Sequence, residues 1–114
     1  MDASVIAQRQ LDAYNRGDVE AFVDVFAEDC VVRSFPAGEV LLEGREAMRE
    51  RYGRQFDACP DLYAHLLARV AHDGVVIDHE EVTGLDADRT VYAVAMYEVE
   101  GEHIRNVWFI RPRT

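Results

Sequence analysis

The feature that most constrains the fold is a change of hydrophobic pattern after Asp61. Four extended segments rich in β-branched and aromatic residues follow one another there: residues 62–72, 75–84, 89–100 and 102–111. The short connections between them carry glycine or aspartate, as hairpin turns do. The sequence therefore predicts a meander of long antiparallel strands.

Three helices are predicted before this meander. Residues 3–16 carry apolar side chains at helical spacing, and Gly17 supplies a C-terminal stop. Asp18 is the expected N-cap of a short second helix. The apolar positions of that helix follow the i, i+3, i+4, i+7 pattern: Val19, Phe22, Val23 and Phe26. Residues 45–58 form the third helix, which ends before Pro60.

A short hairpin is predicted between the second and third helices. Residues 30–35 are β-branched and lead into a turn at residues 36–38, and residues 40–42 form the return strand. Each predicted element has one apolar side to bury, so the helices must cover one face of the sheet. We expect an α+β domain of two layers that spans residues 1–114 as a single unit.

The charge of the chain narrows its expected partners. With a formal net charge of −10, it would repel a phosphate backbone or an anionic membrane, so we expect neither nucleic acid nor a membrane as partner. The first residues resemble neither a secretory signal nor a transmembrane span, which favours a cytoplasmic location. Cys30 and Cys59 lack the spacing of a zinc site, so we expect no metal and two ordinary thiols.

Three stretches carry a family resemblance. Residues 10–38 (QLDAYNRGDVEAFVDVFAEDCVVRSFPAG), 41–52 (LLEGREAMRERY) and 101–111 (GEHIRNVWFIR) resemble the SnoaL-like and ketosteroid-isomerase-like members of the nuclear transport factor 2-like superfamily. The resemblance covers nearly the whole chain. It implies a cystatin-like roll: a curved antiparallel sheet closed by the three N-terminal helices into a cone, whose open end holds a small, largely apolar molecule. It also implies a homodimer through the outer sheet face and chemistry without a cofactor.

The resemblance does not bring the isomerase chemistry with it. Gln10, Ser34 and Ala95 stand at or near the positions where ketosteroid isomerases carry a tyrosine and two aspartates. The limonene-epoxide hydrolases resemble the chain less, and Phe109 falls where they carry an aspartate. Neither catalytic set is therefore expected.

The strand VVIDHEEVTG, residues 75–84, holds the best remaining catalytic candidates. A SnoaL-like cyclase needs a group that titrates near neutrality beside an apolar pocket, and His79 is such a group. The resemblance favours a strand with His79 and Glu81 facing inward. The opposite register would bury Asp78 and Glu80 and expose His79, and periodicity does not decide between them. A third interpretation is an ion-paired surface strand.

The expected ligand pocket combines polar and apolar side chains. Gln10 and Tyr14 share a face of the first helix and could orient a ligand oxygen, although ordinary core packing is the favoured interpretation of Tyr14. Phe26, Phe56 and Trp108 are predicted to form the apolar wall. Apolar residues on both faces of 91–99 favour the homodimer.

Three functions fit this pattern. The first is a cofactor-free isomerase, cyclase or hydrolase-type enzyme that acts on a small hydrophobic compound by general acid-base catalysis. The second is a non-catalytic protein that binds a small ligand. The third is an assembly role, in which the acidic surface contacts a basic partner.

Overall fold

Residues 2–110 are described by the computed structural model, and they form three helices and six strands. The helices are α1 (Ala3–Arg16), α2 (Val19–Asp24) and α3 (Arg45–Ala58). The strands are β1 (Phe26–Ser34), β2 (Val40–Glu43), β3 (Tyr63–His72), β4 (Val75–Asp86), β5 (Arg89–Glu100) and β6 (His103–Ile110). The predicted end of the last strand at Arg111 lies outside the described residues.

All six strands belong to one curved, unclosed sheet in the order β2-β1-β6-β5-β4-β3. The helices pack on it, which confirms the α+β class. The sheet is mixed rather than wholly antiparallel, because β1 pairs with β6 in parallel. The meander β3 to β6 is antiparallel throughout, as predicted. The parallel pair joins the first strand of the chain to its last, a long-range contact that no local pattern encodes.

Local capping sets the ends of the first two helices. The Asp2 carboxylate accepts a hydrogen bond from the Ser4 backbone N–H at 2.9 Å, and the Asp18 carboxylate accepts one from Ala21 N–H at 3.1 Å. Gly17 adopts a left-handed φ of 67° after α1, a conformation that glycine takes without steric cost. The predicted stop at Gly17 and the predicted cap at Asp18 are both confirmed.

The second helix is shorter than its hydrophobic pattern predicts. It ends at Asp24, and Phe26 already belongs to β1. The Ile104 backbone N–H donates to the Val25 carbonyl at 2.9 Å, so strand pairing takes the backbone group that a longer helix would use. Phe26 is nevertheless buried in the core, as its place in the hydrophobic pattern predicts.

Two contacts fix the edge of the sheet near β3. The Asn15 side chain donates to the Ala64 carbonyl at 3.0 Å and accepts from the Ala64 N–H at 2.8 Å, which ties α1 to this edge strand. At Gly84 the chain has φ 85°, and an added Cβ would collide with the Asp61 carbonyl oxygen. Only glycine therefore allows this close approach of two backbone segments.

Candidate active site

The inner face of β4 carries two buried carboxyl groups. Asp78 is fully buried and Glu80 is 7% exposed, whereas Ile77 and His79 are exposed on the other face. Glu81 also lies on that outer face, where it accepts a hydrogen bond from the Tyr92 hydroxyl at 2.9 Å. The prediction that His79 and Glu81 face inward is wrong, and the strand has the alternative register.

A partner on the neighbouring strand explains why this register is stable. Arg69 on β3 stands opposite Asp78 and binds it at two points, Nε to Oδ1 at 2.7 Å and Nη2 to Oδ2 at 2.9 Å. Its Nη1 also donates to Gln8 Oε1 on α1 at 2.9 Å. A two-point guanidinium pair compensates the buried charge of Asp78, which His79 could not do from its own strand.

A cavity of about 490 Å³ lies between the helices and the inner face of the sheet. Its deep wall is apolar, and the side chains there are buried: Leu11, Phe22, Phe26, Val32, Met48 and Val107. Gln10, Tyr14, Tyr97 and Glu80 add polar atoms to this wall. Volume and lining are those of a site for a small, mostly hydrophobic molecule.

Two of the predicted pocket residues lie elsewhere. Phe56 packs behind the cavity, with its ring centroid 5.4 Å from that of Tyr14. Trp108 alternates with Val107 and Phe109, which line the cavity, so Trp108 lies on the outer face opposite Met96. The expectation that Phe56 and Trp108 form the pocket wall is therefore corrected.

The remaining predicted pocket residues, Gln10, Tyr14 and Phe26, do line the cavity. Their binding of a ligand stays a prediction.

Glu80 is the ionisable group best placed for chemistry in the cavity. It stands opposite Ala93 on β5, and both residues line the cavity. Among residues 2–110, Oε2 of Glu80 has no hydrogen-bond partner. Burial, with a smaller contribution from the charge of Asp78, raises the pKa of Glu80 to about 7, and Arg69 opposes this rise. Both protonation states of this carboxyl are therefore populated near neutrality.

Three side chains that can donate hydrogen bonds, Gln10, Tyr14 and Tyr97, line the same cavity as this carboxyl group. Burial raises the pKa of the Tyr14 phenol and that of the Tyr97 phenol well above the ordinary value, and the charge of Glu80 adds to both rises. Both phenols therefore stay protonated and can donate. Gln10 is 5% exposed, and within residues 2–110 its Oε1 has no hydrogen-bond partner. A bound molecule could satisfy the unpaired oxygens of Gln10 and Glu80.

The isomerase positions fall in different surroundings. Gln10 lines the cavity, and Ala95 lies on the inner face of β5 opposite Asp78. The Ser34 hydroxyl accepts a hydrogen bond from Glu39 N–H at 3.2 Å in the hairpin turn, away from the cavity lining. The carboxyl group of this cavity thus comes from β4.

The sequence predicted no role for Tyr97, Arg51 or Arg89, although all three line the cavity together with Glu80. Glu80 did appear in the alternative register, and only a long-range pairing could have favoured it. The arginines carried no local signal, because an exposed arginine in a helix or at the start of a strand is ordinary.

The described part of the chain has neither a cluster of metal-binding side chains nor a membrane-spanning helix. No three His, Cys, Asp or Glu side chains of residues 2–110 converge to hold a metal ion. No helix there has the length and apolar character needed to cross a membrane.

Solved structures share this fold over nearly the whole chain. A cystatin-fold protein from Novosphingobium aromaticivorans, described as uncharacterized, is 27% identical, with a TM-score of 0.88 over 97% of this chain and 99% of that one. A SnoaL-like protein of unknown function from Burkholderia thailandensis is 18% identical, with a TM-score of 0.80 over 97% and 95%. A proposed polyketide cyclase from Sinorhizobium meliloti is 18% identical, with a TM-score of 0.77 over 96% and 99%.

No protein of curated function matches the sequence. The family model of the SnoaL-like domain matches residues 7–107, which is most of the chain. That match includes the whole of α2, α3 and β1 to β5, and most of α1 and β6. This chain belongs to the SnoaL-like domain family.

Proposed function

We propose that this protein is an enzyme that transfers protons on a small hydrophobic carbonyl or cyclic compound, with Glu80 as the general acid and base. The observation that carries the proposal is Glu80 itself, a buried carboxyl group with an unpaired oxygen in an apolar cavity. A pKa of about 7 lets one group both accept and return a proton at neutral pH. The chemistry needs no cofactor.

In the proposed reaction, Glu80 removes a proton from the bound molecule and later returns it. Ionised Glu80 takes a proton from a carbon next to a carbonyl group, and the electron pair of the broken C–H bond moves onto the carbonyl oxygen. Tyr14, Tyr97 or the Gln10 amide donates a hydrogen bond to that oxygen. Protonated Glu80 then returns the proton at another carbon. Alternatively, the enolate carbon closes a ring by attacking the carbon of a second carbonyl group, and protonated Glu80 gives its proton to the alkoxide oxygen that forms. Likeness to the proposed polyketide cyclase is compatible with this chemistry.

A non-catalytic binding protein is the second candidate. Gln10 Oε1 and Glu80 Oε2 are both buried without partners among residues 2–110, and a ligand that donates to both would complete the site without reacting. Exchange of the ligand's C–H hydrogens with solvent distinguishes the two functions, because it detects proton removal before any product is known.

The experiment follows exchange of α-hydrogens in D₂O by NMR for a panel of cyclic and aryl ketones. Wild-type protein is compared with Glu80→Gln, and Glu81→Gln is the matched control because it removes a neighbouring carboxylate from the outer face. We expect wild type and Glu81→Gln to exchange at least about a hundredfold faster than Glu80→Gln. Equal rates in all three would reject the catalytic role. Thermal stabilisation by a ketone without exchange would favour the binding protein.

We also propose a homodimer through the outer face of the sheet. An apolar row crosses four strands there, because Val70 pairs with Ile77, Ile77 with Met96, and Met96 with Trp108. Val70 is 61% exposed. A sheet face facing only water would carry mainly polar side chains, so a second copy is the expected cover.

The free thiols Cys30 and Cys59 fit the cytoplasmic location that we propose for this assembly.

A further inference from the structure

Two arginines stand at the opening of the cavity. Arg51 on α3 and Arg89 at the start of β5 both line it, and both are exposed, unlike the buried deep wall. Gln55 and Thr90 lie beside them in the lining and add neutral donors. The opening is therefore a cluster of hydrogen-bond donors above an apolar interior.

The charge of this lining is opposite to that of the whole protein. The chain carries a net charge of −10, yet the cavity lining holds two arginines and a single acid, Glu80. Glu80 lies deep and is half protonated near pH 7. A positive opening on an acidic protein concentrates anions at that one place.

The two guanidinium groups are available to a ligand. Within residues 2–110, Arg51 makes no ion pair, and its guanidinium carbon lies 5.7 Å from the centre of the Tyr52 ring. Arg89 pairs with Asp86 at 3.8 Å, and both side chains are more than 60% exposed. Such a loose surface pair contributes little and is easily exchanged for another acceptor.

We propose that the cavity takes an amphipathic carboxylate, whose anionic head binds Arg51 and Arg89 at the opening while its apolar body fills the interior. This assignment rests on the proposed function in one respect only: the atoms that react at Glu80 would belong to the apolar body of the ligand. A guanidinium group fits a planar carboxylate at two points. A singly charged head is favoured over a dianionic phosphate, because the net charge of the chain repels the second charge more strongly.

Matched probes test the head group. Calorimetry measures the binding of 4-phenylbutanoate, its primary amide and the corresponding amine, and of the same three heads on cyclohexyl and naphthyl bodies. We expect the carboxylate to bind about tenfold more tightly than the amide on at least one body, and the amine to bind most weakly. The preference decreases at high salt, because the contact lies at an exposed opening.

Variants assign the preference to the arginines. Arg51→Gln and Arg89→Gln each reduce the ratio of carboxylate to amide affinity, and the double variant removes it. Arg54→Gln is the matched control, since Arg54 lies on the same helix, pairs with Glu50 at 3.1 Å and does not line the cavity. Arg51 and Arg89 are exposed, so their replacement leaves the core intact.

The outcomes separate this inference from the proposed function. Binding is also measured in Glu80→Gln, which cannot transfer a proton. A carboxylate preference in Glu80→Gln with no hydrogen exchange in wild type supports the anion site and rejects the enzyme. The inference is overturned if the amide binds as well as the carboxylate, if no carboxylate binds, or if Arg54→Gln lowers the preference as much as Arg51→Gln.

Discussion

Arg69 and Asp78 form a two-point ion pair directly beside the cavity, with N to O distances of 2.7 Å and 2.9 Å. The Asp78 side chain is fully buried and that of Arg69 is 17% exposed. The pair joins β3 to β4 and orients the strand face that carries Glu80.

Breaking the pair from one side is expected to cost more than replacing it. Arg69→Met leaves the Asp78 carboxylate buried without its partner, which we expect to lower the free energy of unfolding by about 3 kcal/mol. The double variant Arg69→Met with Asp78→Leu removes both charges, so its loss is expected to be smaller than that of the single variant. Urea denaturation measures both, and equal losses in the two proteins would contradict a compensated buried pair.

The pKa of Glu80 predicts how stability depends on pH. Its pKa is raised from 4.5 in the unfolded chain to about 7 in the folded protein, so the folded state binds the proton more tightly. Protonated Glu80 therefore contributes its full stabilisation of the folded state below pH 4.5, and this stabilisation is lost as the pH rises through about 7. The loss amounts to ~3 kcal/mol. Glu80→Gln lacks this titration, so denaturation curves of the two proteins between pH 4.5 and 8 give the effect as a difference. Parallel profiles would show that Glu80 titrates normally.

The rate of the proposed proton transfer has a related pH dependence. Glu80 must be ionised to take a proton, so hydrogen exchange in a responsive ketone is expected to increase with pH and to level off above about 7. Asp78→Asn removes a repulsive charge that raises the pKa of Glu80, and we expect it to move the midpoint to lower pH. A midpoint that does not respond to Asp78 would assign the titration to another group.

The close backbone approach between Gly84 in β4 and Asp61 can be tested by substitution. An alanine Cβ there would collide with the Asp61 carbonyl oxygen, and φ is 85°. We expect Gly84→Ala to lower the free energy of unfolding by about 3 kcal/mol or more. Gly101→Ala is the control, because Gly101 also has positive φ but an added Cβ meets nothing within 4 Å. If both variants lose the same stability, backbone conformation alone accounts for the cost and the contact with Asp61 does not matter.

The outer sheet face can be tested by placing a charge in its apolar row. Val70→Glu is expected to raise the dissociation constant of the homodimer by at least about tenfold, because a desolvated carboxylate would lie in the interface. Val5→Glu is the control, since Val5 is 44% exposed on α1, away from this face. Analytical ultracentrifugation over a range of concentrations measures both. A wild-type protein that stays monomeric at high concentration would reject the dimer.

Local signals in the sequence account for most of the elements. The boundaries of α1 and α3 and of β5 match the predicted segments, because amphipathic spacing, the glycine at residue 17 and short turns act within a few residues. The family resemblance added the curvature of the sheet, which the structure confirms. The end of α2 was missed, since the Val25 carbonyl is taken by the distant Ile104 N–H.

The candidate site was less predictable, because it too depends on contacts between residues that are far apart in the sequence. Gln10 and Tyr14 share a helix face that the sequence identifies by itself, and both line the cavity. The middle of β4 was not decided, because each of its faces carries both apolar and charged residues. Arg51 and Arg89 are ordinary surface arginines until α3 and β5 bring them to one opening.

The sequence by itself therefore determined the helices, the meander, the acidic charge and the family. Only the tertiary structure decided that Glu80, and not His79, faces the cavity. The physical reason is a partner on another strand: Arg69 compensates the buried charge of Asp78, and strand alternation then turns Glu80 inward and His79 outward.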